Sequence, residues 1–339
     1  MQYSEPLRSE GIELDLECLL DDEYLKAKYA GRGSIVSIAR AYAGRAIKLR
    51  SARSYDLIHL EKEAFPWLPW AIERGTLPES VPLSLDLDDA IFHLYDSHRS
   101  PAVKRLLSTK IDELMRRSSL VTTGSRYIQE RAEAAGAPRI EYVPTVVDAE
   151  RYATRSPSST ESITIGWIGS PSTSKYLKLV AEPLQELVNR YGVNCLAVGA
   201  DQAQLRDTPF KAVAWSEDCE AQLVSSFDVG IMPLEASQWE LGKCAYKIIQ
   251  YMAAGVPVVA SPVGMNVEVI ERAQCGALAG SDEQWFIELE RLIQDPQART
   301  IMGARGRAAV EEFYSVQAQA PRLAAMWRDV VHSSKATKL

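Results

Sequence analysis

The 339-residue chain is short of the features that mark a disulfide scaffold, a zinc ribbon, a membrane span or a nucleic-acid binder. Its five cysteines, Cys18, Cys195, Cys219, Cys244 and Cys275, are odd in number, scattered and never paired as Cys-x-x-Cys. That excludes a disulfide framework and a zinc ribbon, and fits a reducing compartment. No stretch approaches the ~20 apolar residues that a spanning helix needs. Met1-Gln2-Tyr3-Ser4-Glu5 has neither the basic start nor the apolar run of a secretory signal. Positive charge is the minority: 38 Lys and Arg against 45 Asp and Glu give a net charge of −7, where a nucleic-acid binder shows a basic field. These absences predict a cytoplasmic protein with no nucleic-acid partner. They leave room for an anionic small ligand, which a few local cations can hold whatever the net charge.

What is present, 46% hydrophobic and 24% charged residues, is ordinary for a soluble globular protein. At roughly 150 residues per domain, the length predicts two domains. In the first half, apolar runs at Tyr55–Leu60, Val81–Leu85, Leu120–Thr123 and Ile140–Pro144 alternate with helical stretches such as 35–50. Ile12–Leu16 alternates with period two, as a half-buried strand does. The polar, Ser-rich segment Ala149–Ser162 is the linker candidate. A second series follows, with strands at Ile163–Ile168, Asn194–Val198, Phe210–Ala214, Val229–Pro233 and Val256–Ala260. Its helices fall at Ser174–Asn189, around Glu220–Ser226, at 243–254, and at 282–294, 297–312 and 316–332. Such alternation predicts parallel α/β sheets: two Rossmann-like domains in tandem, over 1–150 and 160–316. Glu5–Gly11 reads as the tail of a helix leading into the Ile12 strand, so the first domain opens one strand later than this architecture usually does.

Two segments carry chemistry. In Ile163–Lys175 a buried strand ends in Gly169 and Ser170, and a helix carrying Lys175 follows. Backbone N–H groups in such a loop, a helix N-terminus and a lysine make an anion site. The phosphate-binding P-loop fails here at two positions, since Ser174 stands where Gly belongs and Tyr176 follows the Lys. The dinucleotide fingerprint fails too, because Gly166 and Gly169 are three apart with no third Gly. Taken alone, the segment is equally an ordinary strand-to-helix turn capped by serine. In the second segment, Lys243, Lys247 and Gln250 stand at i, i+4 and i+7, on one face of a helix expected to begin near Gly242, with Ile248, Ile249, Met252 and Ala253 as its core side. Cations in a first helical turn oppose the dipole unless an anion is nearby. Singly each lysine reads as solvated; together, after a strand end, they suit a diphosphate.

At these residues the chain resembles the GT-B glycosyltransferases of family 4, the glycosyl transferases group 1. Met252–Ser261 (Met-Ala-Ala-Gly-Val-Pro-Val-Val-Ala-Ser) is similar to that family's E-A-M-A-x-G-x-P-V-V-A-S run. Phe227–Pro233, Gly303–Arg307, Leu85–Ile91 and Val143–Asp148 resemble further family segments, so the likeness runs from residue 5 to about 330. It implies two Rossmann-like domains facing a cleft, an acceptor-side domain over 1–150, a nucleotide-sugar domain over 160–316, and a final helix, 317–335, crossing back to the first. There are departures. The family's E-x7-E pair falls on Gly242 and Gln250, its phosphate-binding Arg falls on Ser170, and its first strand and glycine-rich loop have no counterpart.

The resemblance implies a retaining transfer from a UDP- or GDP-sugar, with no cofactor and no metal, to a saccharide or lipid-linked acceptor. N–H groups at Gly169 and Ser170, with Lys175, Lys243 and Lys247, would stabilise the departing diphosphate. Gln250 would take the ribose hydroxyls, which it can still accept from and donate to. Glu240 would take over the sugar contact of the missing Glu at Gly242. Trp215 and Ser216 would flank the nucleobase, with a core tryptophan as the other reading of Trp215, and the loop Ser261–Asn266 would be a further donor contact. Asp86, Asp88 and Asp89 cluster at a strand end, with Asp88 the candidate for the reaction and a helix cap plus one structural carboxylate as the other reading. Glu61–Glu63 would line the same cleft. The Trp67 and Trp70 pair suits a lipid-linked acceptor or simple packing, and the basic face of Arg40, Arg45, Lys48, Arg50 and Arg53 suits an anionic inner membrane surface or solvent. Two alternatives remain: a GT-B-fold epimerase, for which His93 is the one candidate acid/base among four histidines (His59, His93, His98, His332), and a sugar-nucleotide-binding relative without turnover.

Overall fold

The computed structural model describes residues 2–20, 24, 35–154 and 162–336. Two compact units emerge, Ser4–Val143 with Pro321–Leu339, and Met1–Tyr3 with Pro144–Ala320. Residues 155–161 of the expected linker, and with them the expected start of the second domain at 160, lie outside the described residues.

The first unit carries α1 (Ile35–Ser51) and a parallel sheet of β1 (Ile58–Glu61), β2 (Leu83–Leu87), β3 (Leu120–Thr123) and β4 (Ile140–Tyr142), paired in sequence order. Crossovers of one hand and one direction put the connecting helices on a single face. That face is apolar: Ile58, Leu60, Leu83, Leu85, Leu87 and Val121 pack with Leu114 and Met115 of α2 (Lys110–Arg117) and Ile128 and Ala132 of α3 (Arg126–Ala135). The intervening residues make a polar second face. On it the His59 Nδ1 lies 3.1 Å from Ser84 Oγ, and the Thr122 hydroxyl donates to Asp86 at 2.5 Å. Trp327, from the returning C-terminal residues of the same unit, donates its indole N–H to Ser84 at 3.2 Å and stacks on His59 with ring centroids 4.8 Å apart. The expected strand at Ile12–Leu16 does not form. Glu5–Ser9 is indeed the end of a helix (Ser4–Ser9), but Ile12 N–H closes it by donating to Leu7 O, and the following residues run extended with no ladder partner. Alternation gives a strand only where an edge is available to pair with it.

A buried ion cluster braces the segment after β1. Lys110 Nζ meets the Glu63 carboxylate, Glu73 at 3.0 Å and Phe65 O at 2.5 Å. Glu73 also accepts Ala64 N–H at 2.8 Å, and Tyr95 bridges from Glu63 (2.6 Å) to the N–H of Trp67 (3.0 Å), a residue held at φ 64°. Glu63 is therefore an internal strut rather than the cleft-lining group expected from the sequence.

The second unit is a six-stranded parallel sheet. It comprises β5 (Thr164–Ile168), β6 (Asn194–Val198), β7 (Lys211–Val213), β8 (Val229–Met232), β9 (Val258–Ala260) and β10 (Gly276–Leu278), in the order β10-β9-β8-β5-β6-β7. Its winding reverses between β5 and β8, as in a doubly wound Rossmann sheet. Ile165, Trp167, Val229, Ile231 and Val259 are packed against Leu184 and Leu187 of α4 (Ala181–Tyr191) and Trp285 and Leu289 of the helix Asp282–Gln294. The helix expected from Ser174 is instead a 3-10 segment, Pro171–Val180, running into α4, and the helix expected around Glu220 is α5 (Glu220–Ser225). The sequence motifs here are structural. The Phe227 ring fills the space of the missing Gly166 side chain, 2.1 Å from where a Cβ would sit, and Asp228 accepts the Thr164 N–H at 2.9 Å.

Two predictions follow from the first unit. Lys110→Met strands two buried carboxylates, and a cost of about 3–5 kcal/mol is expected in the urea unfolding midpoint. The two titratable groups of the polar face act in opposite directions. Burial holds His59 down to about 4 from 6.5, so between those values the unfolded chain binds more protons, and this contribution is lost as pH falls, by roughly 3 kcal/mol. Burial pushes Asp86 up to about 7 from 3.8, so its contribution is full at low pH and lost as pH rises through that range. Relative to the parent, His59→Gln should gain stability as pH is lowered and Asp86→Asn as pH is raised, in denaturant titrations between about pH 4 and about pH 8.

Candidate functional site

The site grows from the point where the winding reverses. Strands β5 and β8 pair only at Ile165–Val229 and Gly166–Gly230 and then part. The buried Tyr251 hydroxyl spans the gap, accepting Ile168 N–H and donating to Ile231 O, each at 3.1 Å. A crevice outside the carboxyl ends of parting strands is where open α/β sheets hold ligands. On the other side β5 and β6 crowd together: Gly169 N–H donates to Val198 O at 3.0 Å, and a Cβ on Gly199 (φ +80°) would lie 2.2 Å from Gly169 O.

Three cations gather at this strand end. Lys247 Nζ lies 5.6 Å from the Trp167 ring centre, and its Cε is 2.9 Å from where a Gly169 Cβ would stand. Lys175 and Lys243 both lie over the ring of Tyr176, at 4.8 and 5.2 Å. Two ammonium groups over one ring repel, and the arrangement suits a site that receives an anion. The Tyr176 hydroxyl donates to Glu240, as does that of Ser237. Burial by itself would raise Glu240, but those hydroxyls and Lys243 outweigh it and hold the carboxyl below its usual range, while burial and Glu240 push Tyr176 up. Glu240 is thus buried and turned to Tyr176, and the charge-bearing ring that orders Lys175 and Lys243 is its work.

Three sequence expectations need correction. The helix α6 begins at Tyr246 and runs to Ala253, with Ala245 left-handed at φ 58° ahead of it, so Lys243 stands in the preceding loop and not on the face of Lys247. The two lysines still meet the same strand end. The N–H groups of Gly169 and Ser170 are already engaged, with Val198 O at 3.0 Å and Thr173 Oγ1 at 3.2 Å, so neither amide stands open toward an anion. Gln250 is closed off from a ligand: it is 2% exposed and its amide donates to Glu220 Oε1 at 2.8 Å and to the Tyr152 hydroxyl at 3.2 Å.

The remaining residues sort as follows. Trp215 is 51% exposed, which removes the core reading, and its indole N–H donates to Glu220 at 2.8 Å; the exposed Ser216 caps the next turn through its carbonyl. Gly242 ends the short helix Gln238–Leu241, against which Gly264 packs, and Asn266 ties Ser261 from within that loop at 3.1 Å. In the first unit Asp88 and Asp89 pair with Lys62 at 3.1 and 3.4 Å. His93 has both ring nitrogens engaged, by Asp96 (2.8 Å) and Tyr127 (2.7 Å), which leaves none for a substrate. Tyr176, Tyr152 and Glu220 were not singled out from sequence; a tyrosine or glutamate in a helical stretch carries no local signal. Among the described residues no group of three or more His, Cys, Asp or Glu side chains could hold a metal ion.

The fold, with its doubly wound second sheet, is that of the GT-B class. Residues 162–295, within the second unit, match the family model of the glycosyl transferases group 1. A relative from Corynebacterium glutamicum, a GDP-mannose-dependent monoacylated alpha-(1-6)-phosphatidylinositol monomannoside mannosyltransferase, is 26% identical over 246 residues. That match takes in 65% of this chain and 62% of the mannosyltransferase. Among solved structures, Anabaena HepE with UDP and glucose has a TM-score of 0.66 at 20% identity, over 88% of this chain and 83% of its own. A glycosyltransferase from Rickettsia africae has a TM-score of 0.69 at 11% identity, over 97% and 93%.

Since the strand-end geometry leaves no room for a side chain at Gly199, Gly199→Ala should lower stability by about 1–3 kcal/mol and displace Gly169. Urea midpoints and the loss of any phosphate-dependent stabilisation check this.

Proposed function

We propose that this protein is a glycosyltransferase that moves a sugar from a nucleoside-diphosphate sugar to a glycan, lipid-linked or small-molecule acceptor, with retention of configuration and without a divalent metal. The observation that carries the reading is Lys247 against Gly169 at the strand end, with Lys175 and Lys243 both over the ring of Tyr176 in the segment that follows. As the anomeric carbon–oxygen bond breaks, negative charge collects on the β-phosphate. Fixed ammonium groups compensate it in place, with no reorganisation at the moment of reaction. The acceptor oxygen attacks from the face the phosphate leaves, and its proton passes to a departing phosphate oxygen, so no strong side-chain base is required. The engaged nitrogens of His93 support this reading over that of an epimerase.

The name of the Corynebacterium relative specifies GDP-mannose and a phosphatidylinositol-based acceptor, while HepE structures hold UDP and UDP-glucose. Both bases are therefore candidates. No helix among the described residues is long and apolar enough to cross a membrane. Ile35, Val36 and Ile47 are exposed on α1 among Arg40 and Arg50, which supports peripheral contact with an anionic inner membrane surface and a cytoplasmic setting.

Incubation with a panel of UDP- and GDP-sugars should give slow donor hydrolysis, or transfer once an acceptor is added, unaffected by EDTA. Lys247→Ala should cut the rate about 10²–10³-fold. An isomerised donor would speak for an epimerase, and tight binding without turnover for a binding protein. Unchanged nucleotide affinity in Lys247→Ala would remove the phosphate assignment.

A further inference from the structure

The carboxylate of Glu220 lies in the wall beside the candidate phosphate-binding strand end, and the reaction described above does not use it. It sits at the start of the helix Glu220–Ser225 and is held from three sides. Gln250 Nε2 (2.8 Å) and the Tyr152 hydroxyl (3.0 Å) both donate to Oε1, and the Trp215 indole N–H (2.8 Å) donates to Oε2. Tyr152 is itself anchored: Arg307 Nη1 lies 2.9 Å from its carbonyl and 2.7 Å from that of Ala253 at the end of α6. A carboxylate offers about four accepting positions. The three donors fill Oε1 and half of Oε2, leaving an accepting position on the oxygen next to the exposed indole.

Contacts lead from this group to the lysines. Trp215 Cβ is 3.4 Å from where a Gly199 Cβ would stand, Gly169 O is 2.2 Å from the same point, and Lys247 lies against Gly169. A diphosphate at the lysines therefore has, beyond Gly169 and Gly199, an aromatic face and a carboxylate acceptor. The next parts of a nucleotide after its phosphates are a ribose with a vicinal diol and a flat base. Gln250 cannot serve the diol, because its amide hydrogens are spent on Glu220 and Tyr152 and the side chain is 2% exposed. A glutamate at 250 would set a second carboxylate against the first at this distance, and like charges so close cannot both stay ionised.

We propose that Glu220 is the ribose-recognising residue of the donor site, and that Gln250 and Tyr152 are positioning residues that hold its carboxylate beside Trp215. The inference rests on the nucleotide-sugar reading above. It places the charge that selects a ribonucleotide on a helix where the family pattern of the sequence does not put it.

Calorimetric titration of the full chain with UDP and GDP, and with their 2′,3′-dideoxy forms, tests it. The parent should bind the better ribonucleotide about 10–100-fold more tightly than its dideoxy form, the worth of a hydrogen bond to a charged group. Glu220→Gln should lose most of that preference while keeping the dideoxy affinity, which also reports that the variant is folded. Gln250→Ala, with Glu220 intact but unsupported, should lose part of the preference. Equal weakening of both forms in Glu220→Gln, or a preference that survives it, would overturn the assignment while leaving the nucleotide-sugar reading in place. Failure of the parent to bind either nucleotide would overturn both.

Discussion

Everything at the candidate site depends on how closely two strand ends can approach. Where β5 and β6 finish, the carbonyl of Gly169 occupies the place a Gly199 side chain would need, and the Trp167 ring, with the Lys247 stem beside it, occupies the place a Gly169 side chain would need. Any Cβ at either position would push the loop away from the sheet and the lysine away from the loop. On the β8 side the strands part, and the Tyr251 hydroxyl supplies the hydrogen bonds that the ladder no longer does. The result is a rigid lip on one side and an opening on the other. Lys247, in the first turn of α6 and against that lip, sits on scaffold.

The two units solve the problem of burying a parallel sheet differently. The second reverses its winding and covers both faces with helices, so β5, β8 and β9 are buried throughout. The described strands of the first wind one way, and the crossover helices cover one face only. Its second face is polar at His59, Ser84, Asp86 and Thr122, closed in part by Trp327. Burial keeps both His59 and Asp86 from ionising, in opposite pH ranges, so the face is neutral in a middle window and strained on either side of it.

The fold was largely legible. Strands such as Leu120–Thr123 and Asn194–Val198 stand where short apolar runs bounded by turn residues put them, because apolar runs of that length have no other stable burial in an α/β chain. Ile12–Leu16 shows the limit: its alternation is genuine, but pairing is decided by a neighbour that the sequence does not reveal. The start of α6 shows another. Helical spacing carried Lys243 into the helix, whereas the left-handed turn at Ala245, a residue with no propensity for it, begins the helix three residues later.

The sequence by itself determined the architecture, with two α/β units, and the three candidate lysines, since each follows from periodicity, from residue type at a strand end, or from a motif; it left Trp215 open between a core and an exposed reading. Only the tertiary structure decided which groups those residues meet. It put Glu240 against Tyr176, engaged the amides of Gly169 and Ser170 internally, and set the carboxylate of Glu220 beside Trp215 with Gln250 as its donor. The physical reason is common to all three. Buried polar groups take the nearest good partner, and which partner is nearest is fixed by elements distant in the chain.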